Sequence, residues 1–276
     1  MAISFEGFTV THREACTAAM AHHIAAMLDL DADALEEGSN LPRGWHFPLL
    51  GAQTRRRDLR EDGFPGLGVP MPDLGLPRLL LAGRGVTYHA DLPIGAIVRR
   101  TSTISELNQK DDQRGPRAMV TIEHTLTVEG VESPALTETQ KYMLLPASGR
   151  FHEGERSVRP IEAEKSITVT PDATQLFQYS ALGFNSHRIH LDRDFATQVE
   201  GYPNLVVNGG LTTLLITDYA RRELGLTLRS LAMKNTAPLF ADRPMTLAMV
   251  RDETGLRLRA YDDVGTLAAD AEVEIA

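Results

Sequence analysis

The spacing of apolar and polar residues changes several times along this chain, and each change marks an element. Thr11-His12-Arg13-Glu14 has the Thr-x-x-Glu form of a capping box, which predicts a helix through the Ala-rich run to Leu28. From Gly38 to Gly85 the periodicity is lost among Gly63, Pro65, Gly66, Gly68, Pro70, Pro72, Gly75 and Pro77, so regular structure is not expected there. A loop of that length is either disordered or functional. Its Trp45, Phe47, Leu49, Leu79, Leu80 and Leu81 favour a packed covering segment. A period of two then sets in over Val86–Asp91, Ile97–Glu106, Ala118–Val128 and Leu136–Leu145. Turns at Pro93-Ile94-Gly95, Gln113-Arg114-Gly115-Pro116 and Glu129-Gly130 separate these runs, which predicts an antiparallel meander.

Gly149–Glu164 is charged and aperiodic and reads as a linker. After it the plan repeats. Ile167–Thr170 is a short strand, and Pro171 suits the first turn of a helix reaching Leu182. His190–Thr197 is a turn or short helix. Gly209–Leu224 carries Leu211, Leu214, Leu215 and Tyr219 at helical spacing. Leu228–Asn235, Met245–Arg251, Leu256–Asp262 and Leu267–Ile275 are again strands. Helix, irregular segment and four strands thus occur twice, with a long helix in the second copy where the first has the Gly/Pro loop. The expected class is α+β, in two halves, residues 1–148 and 165–276, forming a pseudo-dimer within one chain. A sheet wrapped around one apolar helix would bury that helix on most sides.

Composition narrows the function. The 276 residues are 42% hydrophobic and 24% charged, as in ordinary soluble proteins. A net charge of −9 excludes the basic excess of a nucleic-acid binder. Cys16 is the sole cysteine, so there is no internal disulfide and no Cys-rich metal site. No apolar run is long enough to cross a membrane. Ser4, Glu6 and Thr9 interrupt any signal-peptide pattern, and a cytoplasmic enzyme is expected.

The densest chemistry lies in Tyr179–Asn208, above all in Phe184-Asn185-Ser186-His187-Arg188-Ile189-His190. Asn208-Gly209-Gly210 then opens the apolar helix. Polar groups feeding a helix N-terminus can activate water near a carbonyl. His187 and His190 carry no third ligand at metal spacing, so no metal is expected. A lone histidine in a turn is more often structural than catalytic.

These residues resemble the double-hotdog MaoC-like hydratases and type 2 hydroxyacyl-thioester dehydratases. In the first half the resemblance rests on Trp45-His46-Phe47, Asp62-Gly63-Phe64-Pro65, Leu76-Pro77-Arg78 and Ala82-Gly83. In the second it rests on Tyr179-Ser180-Ala181-Leu182, Asn185, His187-Arg188-Ile189-His190, Asp192, Glu200-Gly201-Tyr202-Pro203, Leu205-Val206-Val207 and Pro238-Leu239-Phe240. It implies a hotdog fold in each half, an acyl-CoA tail bound by the first half, and chemistry in the second. The chain departs from the family at Asn208, where His is usual, at Lys234, where Arg is usual, and at Leu80 and Leu81, where an aromatic residue is common.

The resemblance implies a hydro-lyase that adds water reversibly to a short-chain enoyl-CoA, with a branched or dicarboxylic acyl group of mesaconyl or itaconyl type. The alternatives are a 3-hydroxyacyl-thioester dehydratase of fatty-acid or polyketide synthesis and a non-catalytic acyl-thioester-binding subunit. His190 stands where the family has its base, and Asn185 where the broader family has Asp. Asn is not a base at neutral pH and can only orient water. His190 is therefore expected as general base and acid, Asn185 as water positioner, and His187 as orienter or second proton donor. The Gly209 N–H, helped by Gly210, suits an oxyanion contact, since Gly admits close approach to a helix N-terminus. Tight helix–sheet packing is the competing reason for glycine there. Arg188, Asn208, Gly210, Tyr179, Arg78 and Trp45 are the candidate substrate-binding residues. The further cations Arg55, Arg56, Arg57, Arg60 and Arg84 lie in or after the covering loop. Asp192 is a candidate cap for the helix that follows it. No metal, flavin or nicotinamide cofactor is implied, and the partners expected are a small acyl-CoA substrate, no nucleic acid and no membrane. Monomer and homodimer both remain open.

Overall fold

The computed structural model describes residues 8–112, 115–147, 150–253 and 255–276. The N-terminal reading at Ser4 and Glu6, Gln113 and Arg114 of the expected turn, and the boundary at Ser148 and Gly149 lie outside the described residues. The elements are β1 (Thr9–Ala15), α1 (Ala18–Met27), β2 (Arg78–Tyr88), β3 (Ile97–Asp112), β4 (Gly115–Val128), β5 (Leu136–Leu145), β6 (Lys165–Val169), α2 (Ala173–Leu182), α3 (Gly209–Arg222), β7 (Leu228–Asn235), β8 (Met245–Asp252), β9 (Gly255–Tyr261) and β10 (Leu267–Ile275). Short helical turns at Phe47–Leu50, Arg56–Asp58, Arg188–His190 and Phe195–Val199 interrupt the long connections.

The strands form one antiparallel sheet of ten, in the order β1-β3-β4-β5-β2-β7-β10-β9-β8-β6. Its two ends repeat each other: β1-β3-β4-β5-β2 matches β6-β8-β9-β10-β7. In each half the first strand lies at the outer edge and the second at the centre. The halves join along β2 and β7, from Gly83 opposite Lys234 to Thr87 opposite Ser230.

Four expectations are corrected. Thr11 caps no helix; it lies in β1, opposite Thr101 of β3. The alternating Thr9–Ala15 run offers one face to a neighbouring strand, and that pairing overrides the local capping signal. The helix starts later, where Thr17 Oγ1 accepts from Met20 N at 3.1 Å. Second, β2 begins at Arg78 rather than Val86, because its whole length pairs with β5 across a bulge between Leu81 and Gly83. Third, the first four strands after the loop are not a simple meander: β2 pairs with β5 and β7 and not with β3. Fourth, Pro171 precedes the helix instead of entering it; Asp172 is the cap, accepting from Gln175 N at 2.8 Å.

Helix α3 is the axis of the molecule. Every residue from Gly210 to Ala220 is buried, against β7 and β9 among other elements. Trp45, Leu49 and Val86 of the first half share one core cluster with Leu211, Leu214 and Leu231 of the second. The covering loop reaches α3 directly, since a Cβ placed at Gly44 would overlap the Thr217 side chain. Buried Arg100 of β3 pins this loop by donating to the Leu49 and Gly51 carbonyls at 2.9 and 3.1 Å. The segment 150–163 carries no regular element.

Candidate active site

The motif begins where α2 ends. Gly183 is its C-cap, and Phe184 turns the chain with a left-handed φ of 48°. Asn185 N donates to Ser180 O at 2.8 Å, and Asn185 Oδ1 accepts from His187 N at 3.1 Å. The amide oxygen thus braces the motif, and the Asn185 NH2 group is the end left for a ligand. Arg188–His190 forms one tight turn, closed by His190 N on His187 O at 3.1 Å.

His190 is fixed in its tautomer. Its Nδ1 lies 2.7 Å from the Val206 carbonyl, which can only accept, so Nδ1 carries the proton and Nε2 keeps its lone pair. Ile189 O accepts from Val206 N at 2.9 Å, locking the two segments together. Val206 stands three residues before Gly209, the first residue of α3. His187 packs perpendicular to His190, with ring centroids 5.5 Å apart. Burial pushes His190 down to about 3, helped by neighbouring His187, although the Val206 bond opposes it. Burial, then Arg60, pushes His187 down to about 4. Both rings are neutral at pH 7.

The covering loop clamps this motif. Asp62 O accepts from Arg188 N at 2.9 Å, and Gly63 O accepts from Ser186 Oγ at 2.6 Å. The Asp62 carboxylate lies 3.6 Å from His187 Nε2, and the Phe64 ring meets His187 edge-on. Gly63 has a φ of 76°, and a Cβ there would overlap the Ser186 carbonyl.

At the start of α3, Asn208 is the cap residue and is 3% exposed. Its Nδ2 donates to Ser180 Oγ at 3.2 Å, while its Oδ1 is buried with no partner. Helix geometry leaves the amides of the first turn without intrahelical acceptors. A Cβ at Gly209 would press on Leu81 Cδ2 at 3.1 Å and Asn235 Nδ2 at 3.3 Å. A Cβ at Gly210 would overlap the Tyr179 hydroxyl. Tyr179 is buried and stacks on Phe47 with centroids 4.3 Å apart.

Hydrogen bonds and packing link Asn185, His187 and His190 to one another, Asn185 and Asn208 both bond Ser180, and Gly210 lies against Tyr179, while Gly209 faces Leu81 and Asn235. The other candidates are engaged elsewhere. Arg188 pairs with Asp192 at 2.8 Å and lies over the Phe195 ring. Asp192 also caps the next turn, accepting from Phe195 N at 3.0 Å. Arg78 pairs with Glu200 at 3.3 Å. Trp45 is a core residue, 1% exposed, with Arg221 over its ring.

Sequence reasoning misses Glu138 and Gln140. They sit on β5 in phase with buried Leu136, so two polar residues face inward. Glu138 pairs with Arg84 of β2 at 3.1 Å and with His46 of the covering loop at 2.7 Å. Burial alone would raise the Glu138 carboxyl, but Arg84 and the His46 bond outweigh it and hold the group at about 2. The Arg84 guanidinium and the Tyr179 hydroxyl both approach the Cβ position of Gly210. Polar in-phase positions on an alternating strand were the available signal. Among the described residues, no group of three or more His, Cys, Asp or Glu side chains is placed to hold a metal ion.

Comparison with known proteins places these features in context. The family model for hydroxyacyl-thioester dehydratase type 2 matches residues 44–241. The chain is similar to a mesaconyl-C(4)-CoA hydratase of Chloroflexus aurantiacus, 32% identical over 252 residues, covering 91% of this chain and 89% of that one. It is also similar to the mitochondrial hydroxyacyl-thioester dehydratase type 2 of Schizosaccharomyces pombe, 24% identical over 244 residues and 79% of each chain. In structure it resembles a MaoC-like dehydratase from Phytophthora capsici, with a TM-score of 0.72 at 12% identity over 99% and 98% of the two chains. A Mycobacterium tuberculosis protein with a double hotdog fold gives 0.63 at 14% identity over 98% and 95%. The expected double hotdog is thereby borne out; its two sheets are fused along β2 and β7.

Proposed function

The chain belongs to the hydroxyacyl-thioester dehydratase type 2 family, and from that premise we propose how its own residues carry out the reaction and on which acyl group. It is a hydro-lyase of acyl thioesters, working as hydratase and dehydratase. The reading of its site rests on one observation: the carbonyl of Val206, a residue just ahead of α3, accepts from His190 Nδ1–H and leaves Nε2 as a buried, neutral base.

In the hydration direction, His190 Nε2 takes a proton from water while the water oxygen bonds to Cβ. The alkene π pair moves to Cα and on to the thioester oxygen, giving an enolate. The Gly209 N–H, with Gly210, donates to that oxygen. The enolate then collapses as Cα takes a proton from His190, and the net change is addition of one water. Asn185 holds the water by donating its NH2 to the water oxygen. His187, braced by Asp62 and Phe64, fixes the His190 ring. Burial disfavours an imidazolium at position 190, and the negative charge growing beside α3 supplies its counter-charge. Dehydration is the same path reversed.

The N-terminal half supplies the thioester-tail side and the C-terminal half the chemistry. The acyl group is short and branched or dicarboxylic, of mesaconyl or itaconyl type; the similarity to a mesaconyl-C(4)-CoA hydratase supports this. Purified protein should bleach the conjugated thioester absorbance of crotonyl-, mesaconyl- or itaconyl-CoA. His190→Ala should lower kcat/KM by about 10²–10⁴-fold. Wild-type protein that leaves all three unchanged would refute the reading as a CoA-thioester hydratase. Turnover confined to carrier-bound long chains would replace the proposed substrate.

A further inference from the structure

The covering loop arches over the motif, and its outermost residues carry cations that the chemistry above does not use. One foot of the arch stands at Gly51, where a Cβ would lie 3.1 Å from the Gly183 carbonyl oxygen. The other stands at Asp62 and Gly63, whose carbonyls bond Arg188 and Ser186. Thr54 Oγ1 donates to the Pro65 carbonyl and ties the two legs together. The short turn Arg56–Asp58 follows directly, with Arg55 as its cap residue, and residues 55–58 are all exposed. Phe184 lies in the motif between Gly183 and Ser186, the residues on which the two feet rest.

Neither feature serves stability. Phe184 is 65% exposed, in a left-handed backbone with a φ of 48°. That conformation is strained for a bulky side chain, and Gly or Asn would end α2 with less strain. Burial does not repay the strain, so what the ring presents to solvent is the reason for it. Arg55 and Arg56 are equally unrewarded. Among the described residues neither has a carboxylate within ion-pair distance, and Arg57 reaches its neighbour Asp58 at 3.8 Å. Arg13, Arg43, Arg60, Arg117, Arg193 and Arg243 by contrast each hold a carboxylate within 3.2 Å, in a chain of net charge −9. Two adjacent guanidinium groups left open amid excess acid favour a polyanion, and their planar forks suit phosphate. An open aromatic face between the feet of the same arch suits a nucleobase, which stacks on such a ring. A ligand that joins both to a thioester through a long arm is coenzyme A.

We propose that Arg55, Arg56 and Phe184 form a binding site for the nucleotide end of a CoA thioester, the phosphates on the two guanidinium groups and the adenine on the Phe184 ring. The inference rests on the acyl-thioester reading and deepens it, since it assigns the far end of the carrier to the outer turn of the covering loop. The loop then has two duties. Asp62 and Phe64 brace the histidines, while Arg55 and Arg56 hold a part of the substrate that takes no part in the reaction. Contacts of that kind are the same in substrate and transition state, so they act on KM and not on kcat.

The test takes free CoA, which carries the nucleotide and no acyl group. Titration calorimetry should find it bound about tenfold more weakly by Arg55→Gln/Arg56→Gln and about fivefold more weakly by Phe184→Ala, with thermal melting to confirm folding. High salt should close the gap between wild type and the arginine variant. Phe177→Ala removes the other exposed ring of α2 and should leave CoA affinity unchanged. In hydration assays the arginine variant should raise KM for crotonyl-CoA about tenfold at unchanged kcat. Crotonyl-pantetheine, which lacks the nucleotide, should be hydrated equally well by both proteins. Equal CoA affinity in wild type and the arginine variant, or equal wild-type KM values for the two crotonyl thioesters, would overturn the proposal. CoA affinity untouched by Phe184→Ala would overturn the adenine contact. Losses confined to a crotonyl carrier-protein thioester, and shared by Phe177→Ala, would overturn it in favour of an acidic protein partner. CoA binding that depends on Arg55 and Arg56, without turnover of any thioester, would keep the site and lose the hydratase. Turnover indifferent to these residues would do the reverse.

Discussion

Three buried histidines govern how this protein answers acid. Burial is the leading cause that holds His190 at about 3 and His187 and His124 at about 4. In the unfolded chain each titrates near 6.5. Between that value and the folded ones, the unfolded state binds more protons, so stability rises with pH and is lost as pH falls through this window. Each histidine contributes a slope of up to about 1.4 kcal/mol per pH unit there. Glu138 acts later: its depressed carboxyl gives stability present above the unfolded value near 4.3 and lost as pH falls towards about 2. Urea unfolding between pH 7.5 and 4.5 should show the histidine slope before carboxylates contribute. His124→Asn, at a site bonded to Ser102 and outside the motif, should remove one proton's share of it. Stability that stays flat from pH 7 to 5 would contradict the burial assigned to these rings. At this scale the sequence was legible where partners are neighbours. Asn185, His187 and His190 stand together in the chain, and their braces follow from turn geometry. Glu138 and His46 are 92 residues apart, and no local spacing announces such a pair.

Among the elements, the long segments of period two and the apolar helix α3 were legible because many residues vote for the same period. The first thirty residues were not, because a strand edge and a capping box share short Thr/Glu spacings. The two readings differ measurably. Thr17→Ala removes the observed cap and should cost about 1 kcal/mol in urea unfolding. Thr11→Ala, on an outer strand, should stay within about 0.5 kcal/mol of zero. The covering loop was legible as a packed segment but not in its target, since its contacts to the motif join residues far apart in the chain, such as Gly63 and Ser186, and some run through backbone atoms that sequence does not mark. Gly63 is the test of that contact. Gly63→Ala forces a Cβ onto the Ser186 carbonyl from a left-handed backbone. The loop must then lift from Asp62 to Phe64, and His187 loses both braces. The expected result is a tenfold or larger fall in kcat, about 1.4 kcal/mol in the barrier, with KM for the thioester changed little. An unchanged kcat would show that the clamp does not hold the histidines.

For the whole molecule, the internal repeat was legible as two passes through one plan, but the seam was not. Nothing in the alternation of β2 or β7 says which edge will be free, and the five-strand order of each half leaves both strands facing inward. Their pairing makes a single sheet, and α3 and the covering loop place one core beneath it. Trp45 and Leu49 leave water only when Leu211 and Leu214 are present to cover them. The halves should therefore not unfold one after the other. Calorimetry of the intact chain should give one transition whose calorimetric and van't Hoff enthalpies agree. Residues 8–147 or 150–276 expressed alone should lack a cooperative transition and should associate through the bared β2 or β7 edge. Mixing the two pieces should restore the transition, because the missing term is the shared core and not the connecting segment. Two resolved transitions in the intact chain, or a half that melts cooperatively as a monomer, would mean that each half closes its own core and that the seam is only a contact.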